Sequence, residues 1–281
     1  MTAAVPKVSV CIPTYKGGRT IGPAIASVLA QTLADFELLV IDDCSPDDTA
    51  EVVAGFSDRR LRYLRNDTNL GPEGNWNRCL SEARGVYFKL LPHDDLLAAQ
   101  CLATQVAALD ADHDERIALT FSARHVLGPD GAVLMQRGYP GAQGGVLHAP
   151  SVLAACLRRG TNLIGEPGAV MFRRALVRRV GTFNAAHPYV IDLDYWCRLL
   201  DHGDAHYTAA PLASFRVSRS QWSVRLGQAQ CRDFMGLVQD LAARGHASAH
   251  IGNRAMAALT ARLNQLGRQW FYRHHLPADP A

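Results

Sequence analysis

Lysine is nearly absent from this 281-residue chain: only 3 of its 29 basic residues are lysine, the other 26 being arginine, a bias of genome composition without functional meaning. Cysteine is present but unpaired by pattern. The seven cysteines are odd in number, scattered, and form no CxxC pair, which excludes a disulfide framework or zinc knuckle and points to reduced thiols in a cytoplasmic protein. No apolar run reaches the ~18 residues of a spanning helix, since the nearest, Leu96–Leu109, is interrupted by Gln100, Thr104 and Gln105. The start, MTAAVPKVSV, has no charged segment followed by an apolar one, so no secretory signal is expected. Internal repeats and GxGxxG are lacking too, the latter disfavouring a dinucleotide-dependent dehydrogenase. The net charge of +3 is too small to suggest nucleic acid as a partner.

What is present is ordinary globular composition, 48% hydrophobic and 20% charged, with charge unevenly spread. Residues 1–215 carry 20 basic and 23 acidic side chains, whereas residues 216–281 carry 9 basic and 3 acidic. That shift marks a boundary near Arg216, between a catalytic domain (1–215) and a basic helical extension (216–281).

The first half alternates apolar β-branched runs with helical periodicity. Val8–Ile12, Phe36–Ile41, Leu61–Leu64, Val86–Leu91 and Ile117–Ser122 read as strands. Helices are expected from Thr20, as cap, to Gln31, over Asp47–Phe56, over Glu73–Ala83, and from Leu96 to Leu109. This βαβ order predicts an α/β fold, a mostly parallel sheet with helices on both faces, whose ligand sits at the carboxyl ends of the strands. Farther on, GPDG at 128–131 predicts a hairpin. Tyr139–Gly145 reads as a glycine-rich lid, Ala169–Phe172 as a strand, and Asp192–Leu200 as a helix. From Val224 two amphipathic helices follow, parted near Arg244–His246.

Carboxylates collect just after the strands, as Asp42-Asp43 and Asp94-Asp95. Two such pairs at one sheet edge repel unless a cation or hydrogen-bond donors lie between them. Turn and cap roles also fit Asp42, Asp43, Asp47 and Asp48, while an apolar run leads directly into Asp94-Asp95. A hard divalent cation held by one or two carboxylates and substrate phosphates suits that second pair.

Six segments in order, VSVCIPTYKGGRTI (8–21), FELLVIDDCSPDDT (36–49), NLGPEGNWN (69–77), YFKLLPHDDLL (87–97), VGTFN (180–184) and DLDYWCRL (192–199), resemble the family-2 inverting glycosyltransferases of the GT-A fold. The resemblance implies sugar transfer from a nucleoside diphosphate, UDP or dTDP, to an acceptor hydroxyl with inversion, in bacterial polysaccharide or glycoconjugate synthesis. It implies that Pro13 and Tyr15 hold the nucleotide base and that Asp43 accepts a hydrogen bond from it. Asp95 is expected to coordinate Mn²⁺ or Mg²⁺, Asp94 to bind ribose or the metal, and Asp192 to act as general base. Lys16 stands where the family often has Asn, Pro92 replaces the first Asp of a longer acidic motif, Ile191 an acidic residue, and Ser218 a His.

A sugar-1-phosphate nucleotidyltransferase, or a catalytically inactive nucleotide- or glycan-binding protein of the same fold, are the competing readings. The acceptor is expected to be a glycan or a lipid-linked sugar. In the tail, Ile251, Ala255, Leu259, Leu263, Leu266 and Trp270 share one helical face. That face is expected to pack on the catalytic domain or in a homodimer, against a sharper reading of weak contact with an anionic membrane at its inner face.

Overall fold

The computed structural model describes residues 5–218, 226 and 229–275. Four parallel strands open the sheet: β1 (Val8–Thr14), flanked by β2 (Phe36–Asp42) and β4 (Tyr87–Leu90), with β3 (Leu61–Arg65) outside β2. Side chains alternate between two cores, as period-2 geometry requires. Val8, Val10, Ile12, Leu38 and Val40 face one core, and Cys11, Leu39 and Ile41 the other. Burial on both faces explains why these strands read as unbroken apolar runs. The first core is covered by α1 (Ile21–Leu29), α2 (Thr49–Ala54) and α4 (Cys101–Asp110). The second is covered by α3 (Gly71–Glu82), α5 (Ala149–Arg159), α7 (Ile191–Leu200) and the Gln230–Ala243 helix.

Past β4 the sheet changes hand. Strand β9 (Val170–Arg173) inserts antiparallel between β4 and β6 (Ile117–Leu127), and β10 (Asp204–Arg216) runs parallel to β6. The short β5 (Leu96–Leu97) closes that edge, while β7 (Val133–Arg137) and β8 (Gly145–Leu147) pair with β6 and β10. Along the path β3-β2-β1-β4-β9-β6-β10-β5, six of the eight described strands point the same way, so the mostly parallel α/β sheet stands. The 128–131 turn makes the expected hairpin of β6 and β7, with the N–H of Gly128 donating to the carbonyl of Ala132.

Three expectations change. Leu96 and Leu97 form a strand paired with Ser214 and Ala213, and the helix starts only at Cys101. The apolar residues at 96 and 97 are there to pair with β10. Thr20 precedes α1, but its hydroxyl lies 2.9 Å from His93 Nδ1 and does not cap the helix. The apolar face of the last helix, Ile251–His275, packs little on the other described residues, Leu259, Leu263 and Leu266 being 57–62% exposed. The opposite face is what docks: Ala257 and Ala261 are buried against α5, and Asn264 Nδ2 donates to the carbonyls of Arg159 and Gly160. Small residues win there because Ala261 N approaches to within 2.3 Å of where a Cβ on Gly160 would lie. The helix expected from Val224 begins, among the described residues, at Gln230; Val224 itself lies outside them.

The VGTFN segment, which begins at the end of α6 (Val177–Val180), has a packing role. Phe183 is fully buried, stacked on Tyr195 at 4.0 Å and edge-on to Trp76 at 5.2 Å. Its backbone exchanges two hydrogen bonds with the Asn77 side chain. Phe183 thus locks α3 against α7. Phe183→Ala should lower the free energy of unfolding by about 3–5 kcal/mol, measured by denaturant titration; a loss under ~1 kcal/mol would show that this lock is dispensable.

Candidate functional site

At the carboxyl ends of the parallel strands lies a cavity of about 1650 Å³. Pro13, Tyr15, Asp43, Asp94 and Asp192 all line it. Asp95 does not. It sits behind the wall, 1% exposed, with Oδ1 accepting from the N–H of Arg216 at 3.0 Å.

The loop after β1 is shaped by close approach. A Cβ on Gly17 would lie 2.2 Å from Thr14 Oγ1, and one on Gly18 1.8 Å from Asp48 Oδ1. Lys16 and Cys44, both non-glycine, take left-handed φ of 56° and 61°, a cost accepted at binding loops when neighbours hold the chain. Here the Lys16 N–H donates to Ser45 Oγ at 2.9 Å. Tyr15 is left 43% exposed on the cavity wall, with Lys16 Nζ 5.3 Å from its ring centre.

The first carboxylate pair is held by hydrogen-bond donors and by Arg65, whose Nε lies 3.7 Å from Asp42 Oδ2. Asp42 accepts from Tyr63 Oη at 2.6 Å and from Ser45 N at 3.0 Å. Asp43 Oδ1 accepts from Asn66 Nδ2 (2.6 Å) and Leu70 N (2.7 Å), and Oδ2 from Gly71 N (2.9 Å). Asp43 therefore pins the start of α3 to the end of β2. Of about four lone-pair positions on a carboxylate, three are filled.

The second pair is different. Burial, reinforced by Asp94, pushes the Asp95 carboxyl well above the usual carboxylate range. Arg216 braces the loop from the other side, its Nε donating to the Asp94 carbonyl and its Nη1 to the carbonyls of Gly128 and Pro129. Among the described residues no group of three His, Cys, Asp or Glu gathers as a complete metal cage. Two adjacent carboxylates, one lining the cavity and one buried under like charge, still fit the partial set that a hard cation uses when phosphates and water complete its shell. His93 is accounted for by its contact with Thr20.

Asp192 begins α7, with Oδ2 accepting from Asn162 Nδ2 at 3.0 Å. A helix N-terminus favours the ionised form, yet the balance goes the other way. Burial, then the negative charge of Glu166, push the Asp192 carboxyl up to about 7.

From the sequence alone Glu166 fits either an acceptor contact or a simple turn, and nothing local marks the arginines around it. Glu166 lies 2.5 Å from Arg124 Nε of β6, whose side chain is 3% exposed. Burial acts to raise the Glu166 carboxyl, but Arg124 and Arg137 outweigh it and hold it below its ordinary value. The last helix adds Arg268, whose Nη2 donates to Thr161 Oγ1 at 2.6 Å and whose Nη1 donates to the Tyr189 hydroxyl and to Gln230 Oε1. No local pattern marks these residues, because strand pairing and helix docking bring them together. Trp196 is core, its indole N–H donating to the Gly165 carbonyl.

Residues 9–181 match Glycosyl transferase family 2. The chain is 36% identical over 203 residues to an uncharacterized protein of Mycobacterium tuberculosis, covering 70% of this chain and 63% of that one. It is 40% identical over 102 residues to the UDP-Glc:alpha-D-GlcNAc-diphosphoundecaprenol beta-1,3-glucosyltransferase WfgD of Escherichia coli, covering 36% of this chain and 40% of that one. This chain thus spans less than two thirds of the length of either relative. In fold it is similar to residues 1–349 of Staphylococcus aureus TarS solved with UDP-GlcNAc, with a TM-score of 0.71 at 17% identity, over 96% of this chain and 76% of that one.

Removing one partner of a buried ion pair strands the other, which costs about 3–5 kcal/mol. Glu166→Gln should therefore destabilise the protein by about that amount in denaturant titrations. A change below ~1 kcal/mol would mean that Arg124 is solvated in the cavity and needs no partner.

Proposed function

Since the chain belongs to glycosyl transferase family 2, we propose that it transfers a sugar from a nucleoside diphosphate, UDP or dTDP, to an acceptor hydroxyl with inversion. We place the reaction in bacterial polysaccharide or glycoconjugate synthesis. The observation that carries the reading is Asp192, a cavity-lining carboxyl poised at about 7. A general base works best with its pKa near the working pH. In this reading Asp192 takes the proton of the acceptor hydroxyl as its oxygen attacks the anomeric carbon and the nucleoside diphosphate leaves from the opposite face. One displacement inverts the centre, and no enzyme nucleophile is used.

On the donor side, Tyr15 and Pro13 flank the base, Tyr15 offering an exposed ring for stacking. The remaining lone-pair position of Asp43 takes an N–H of the base. Asp94, with Asp95 behind it, would hold a Mn²⁺ or Mg²⁺ ion, which when bound offsets charge on the departing diphosphate. Asp95 is proposed in that role with its Oδ1 already engaged by Arg216 N.

A lipid-linked sugar as acceptor is supported by the E. coli relative, whose name gives a diphosphoundecaprenol-linked substrate. Among the described residues no helix is long and apolar enough to cross a membrane. The exposed face of the last helix supplies a surface of the right kind. Residues 251–275 include four arginines and no acid, and Arg254 and Arg262 are exposed with Leu259, Leu263 and Leu266. That charge complements anionic lipid at the cytoplasmic face.

Asp192→Asn keeps the shape but removes the base, so transfer should fall by ~10²–10⁴-fold while UDP affinity stays unchanged. In the unmutated protein the rate should rise with pH through about 7, where Asp192 becomes ionised, and level off above it. Loss of UDP binding in the variant, or a rate indifferent to pH between 6 and 8, would assign the base elsewhere. The lipid face is tested by vesicle co-sedimentation: pelleting with anionic but not neutral vesicles, weakened by salt and abolished by Leu263→Glu, is expected. A salt-independent dimer in light scattering, without pelleting, would give the face to a second copy.

A further inference from the structure

Beyond the nucleotide loop and Asp192, one wall of the cavity carries more positive charge than the protein neutralises. Arg124 and Arg137 are direct cross-strand partners in the β6–β7 ladder, an arrangement of like charges that is unfavourable by itself. Arg268 reaches the same place from the last helix and, with Arg124, is among the charges felt by Arg137. Against these three guanidiniums stands Glu166, engaged by Arg124. Asp192, at about 7, adds at most one further negative charge.

Arg137 is the exception among the three. Arg124 has its carboxylate and Arg268 its three oxygen acceptors, but Arg137 has no hydrogen-bond or ion-pair partner among the described residues. It is half-buried and lines the cavity, and burial lowers its guanidinium below the ordinary value. Gln230, also on this wall and 3% exposed, has an amide Nε2 with no acceptor. Buried donors without acceptors are costly. An arginine and an amide that both lack acceptors on a wall of excess positive charge match an oxyanion of two negative charges.

We propose that Arg137, with Arg268 and the Gln230 amide, forms an acceptor-side subsite for a phosphate group carried by the acceptor beside the hydroxyl that Asp192 deprotonates. This rests on the glycosyltransferase reading for the role of Asp192 and deepens it by giving the acceptor a phosphate. The cavity has room for both substrates, its 1650 Å³ exceeding the ~300–1,000 Å³ of single-ligand pockets. A phosphate here would place the acceptor by charge and leave its hydroxyl free to meet Asp192. Arg137 is then a specificity-determining residue with no part in proton transfer.

The test uses the full chain, saturated with UDP at fixed free Mg²⁺, titrated calorimetrically with inorganic phosphate and with inorganic pyrophosphate. Wild type should bind at least one of them. Tighter binding of pyrophosphate assigns the subsite to a lipid diphosphate headgroup, and equal binding to a phosphate monoester. Arg137→Gln should weaken binding at least tenfold, leave UDP affinity unchanged, and leave the melting temperature nearly unchanged, because the guanidinium makes no hydrogen bond or contact ion pair to lose and Glu166 keeps Arg124. No binding of either anion to the UDP-saturated protein, or equal binding by the variant, overturns the subsite. A fall in UDP affinity in Arg137→Gln would overturn it by assigning this arginine to the donor, and a lowered melting temperature by making it structural. Failure of the unmutated protein to bind UDP at all would instead count against the glycosyltransferase reading.

Discussion

The buried pair of Arg124 and Glu166 organises the site around it. It joins β6 to the segment entering β9, and the two elements come from positions 42 residues apart. Its negative end helps to raise Asp192 and its positive end faces Arg137 across the ladder. A buried pair of this kind adds little net stability, since desolvation consumes most of the attraction. Its consequence is electrostatic. It fixes a carboxylate near Asp192, and that carboxylate sets where a proton can be held near neutral pH. The same economy of charge runs through the wall: three arginines, one committed acid and one poised one.

The opposite side of the cavity solves its charge problem with donors. Asp42 and Asp43 are surrounded by backbone N–H groups, an amide and a phenol, with Arg65 Nε 3.7 Å from Asp42 Oδ2, so this chain's own groups hold both in place at the end of β2. Asp95 is handled differently: it accepts from the N–H of Arg216, and burial, with the like charge of Asp94, pushes its carboxyl up. The contrast between the pairs follows from their settings. β2 ends against the backbone amides that begin α3, whereas the loop after β4 ends against a single strand, β10, and a bracing arginine.

Much of this was legible in the sequence because it is local. The parallel half of the sheet follows from apolar runs buried on both faces, and the hairpin from GPDG. Pro13, Tyr15, Asp43, Asp94 and Asp192 indeed line one cavity. What escaped is what long-range pairing creates. β10 was not expected at all: thirteen residues interrupted by Pro211 and three changes of register give no clean alternation. Leu96 and Leu97 carried a helical period but are claimed by that strand. Arg124, Arg137 and Arg268 lie on three elements and look like solvated charges until β6, β7 and the last helix are assembled. The burial of Asp95 also escaped, because nothing local shows that Arg216, 121 positions later, seals it. β10 ends at Arg216, and residues beyond it line the same cavity through Gln230, Arg268 and Tyr272.

The central claim is that burial and Glu166 hold the Asp192 carboxyl poised near neutral pH. It is tested most directly by following that carboxyl by carbon NMR in protein labelled at aspartate, with Asp192→Asn to assign the signal. The carboxyl is expected to titrate with a midpoint near 7. A midpoint near the ordinary ~4 of an exposed aspartate would contradict it and leave the proposed base without support.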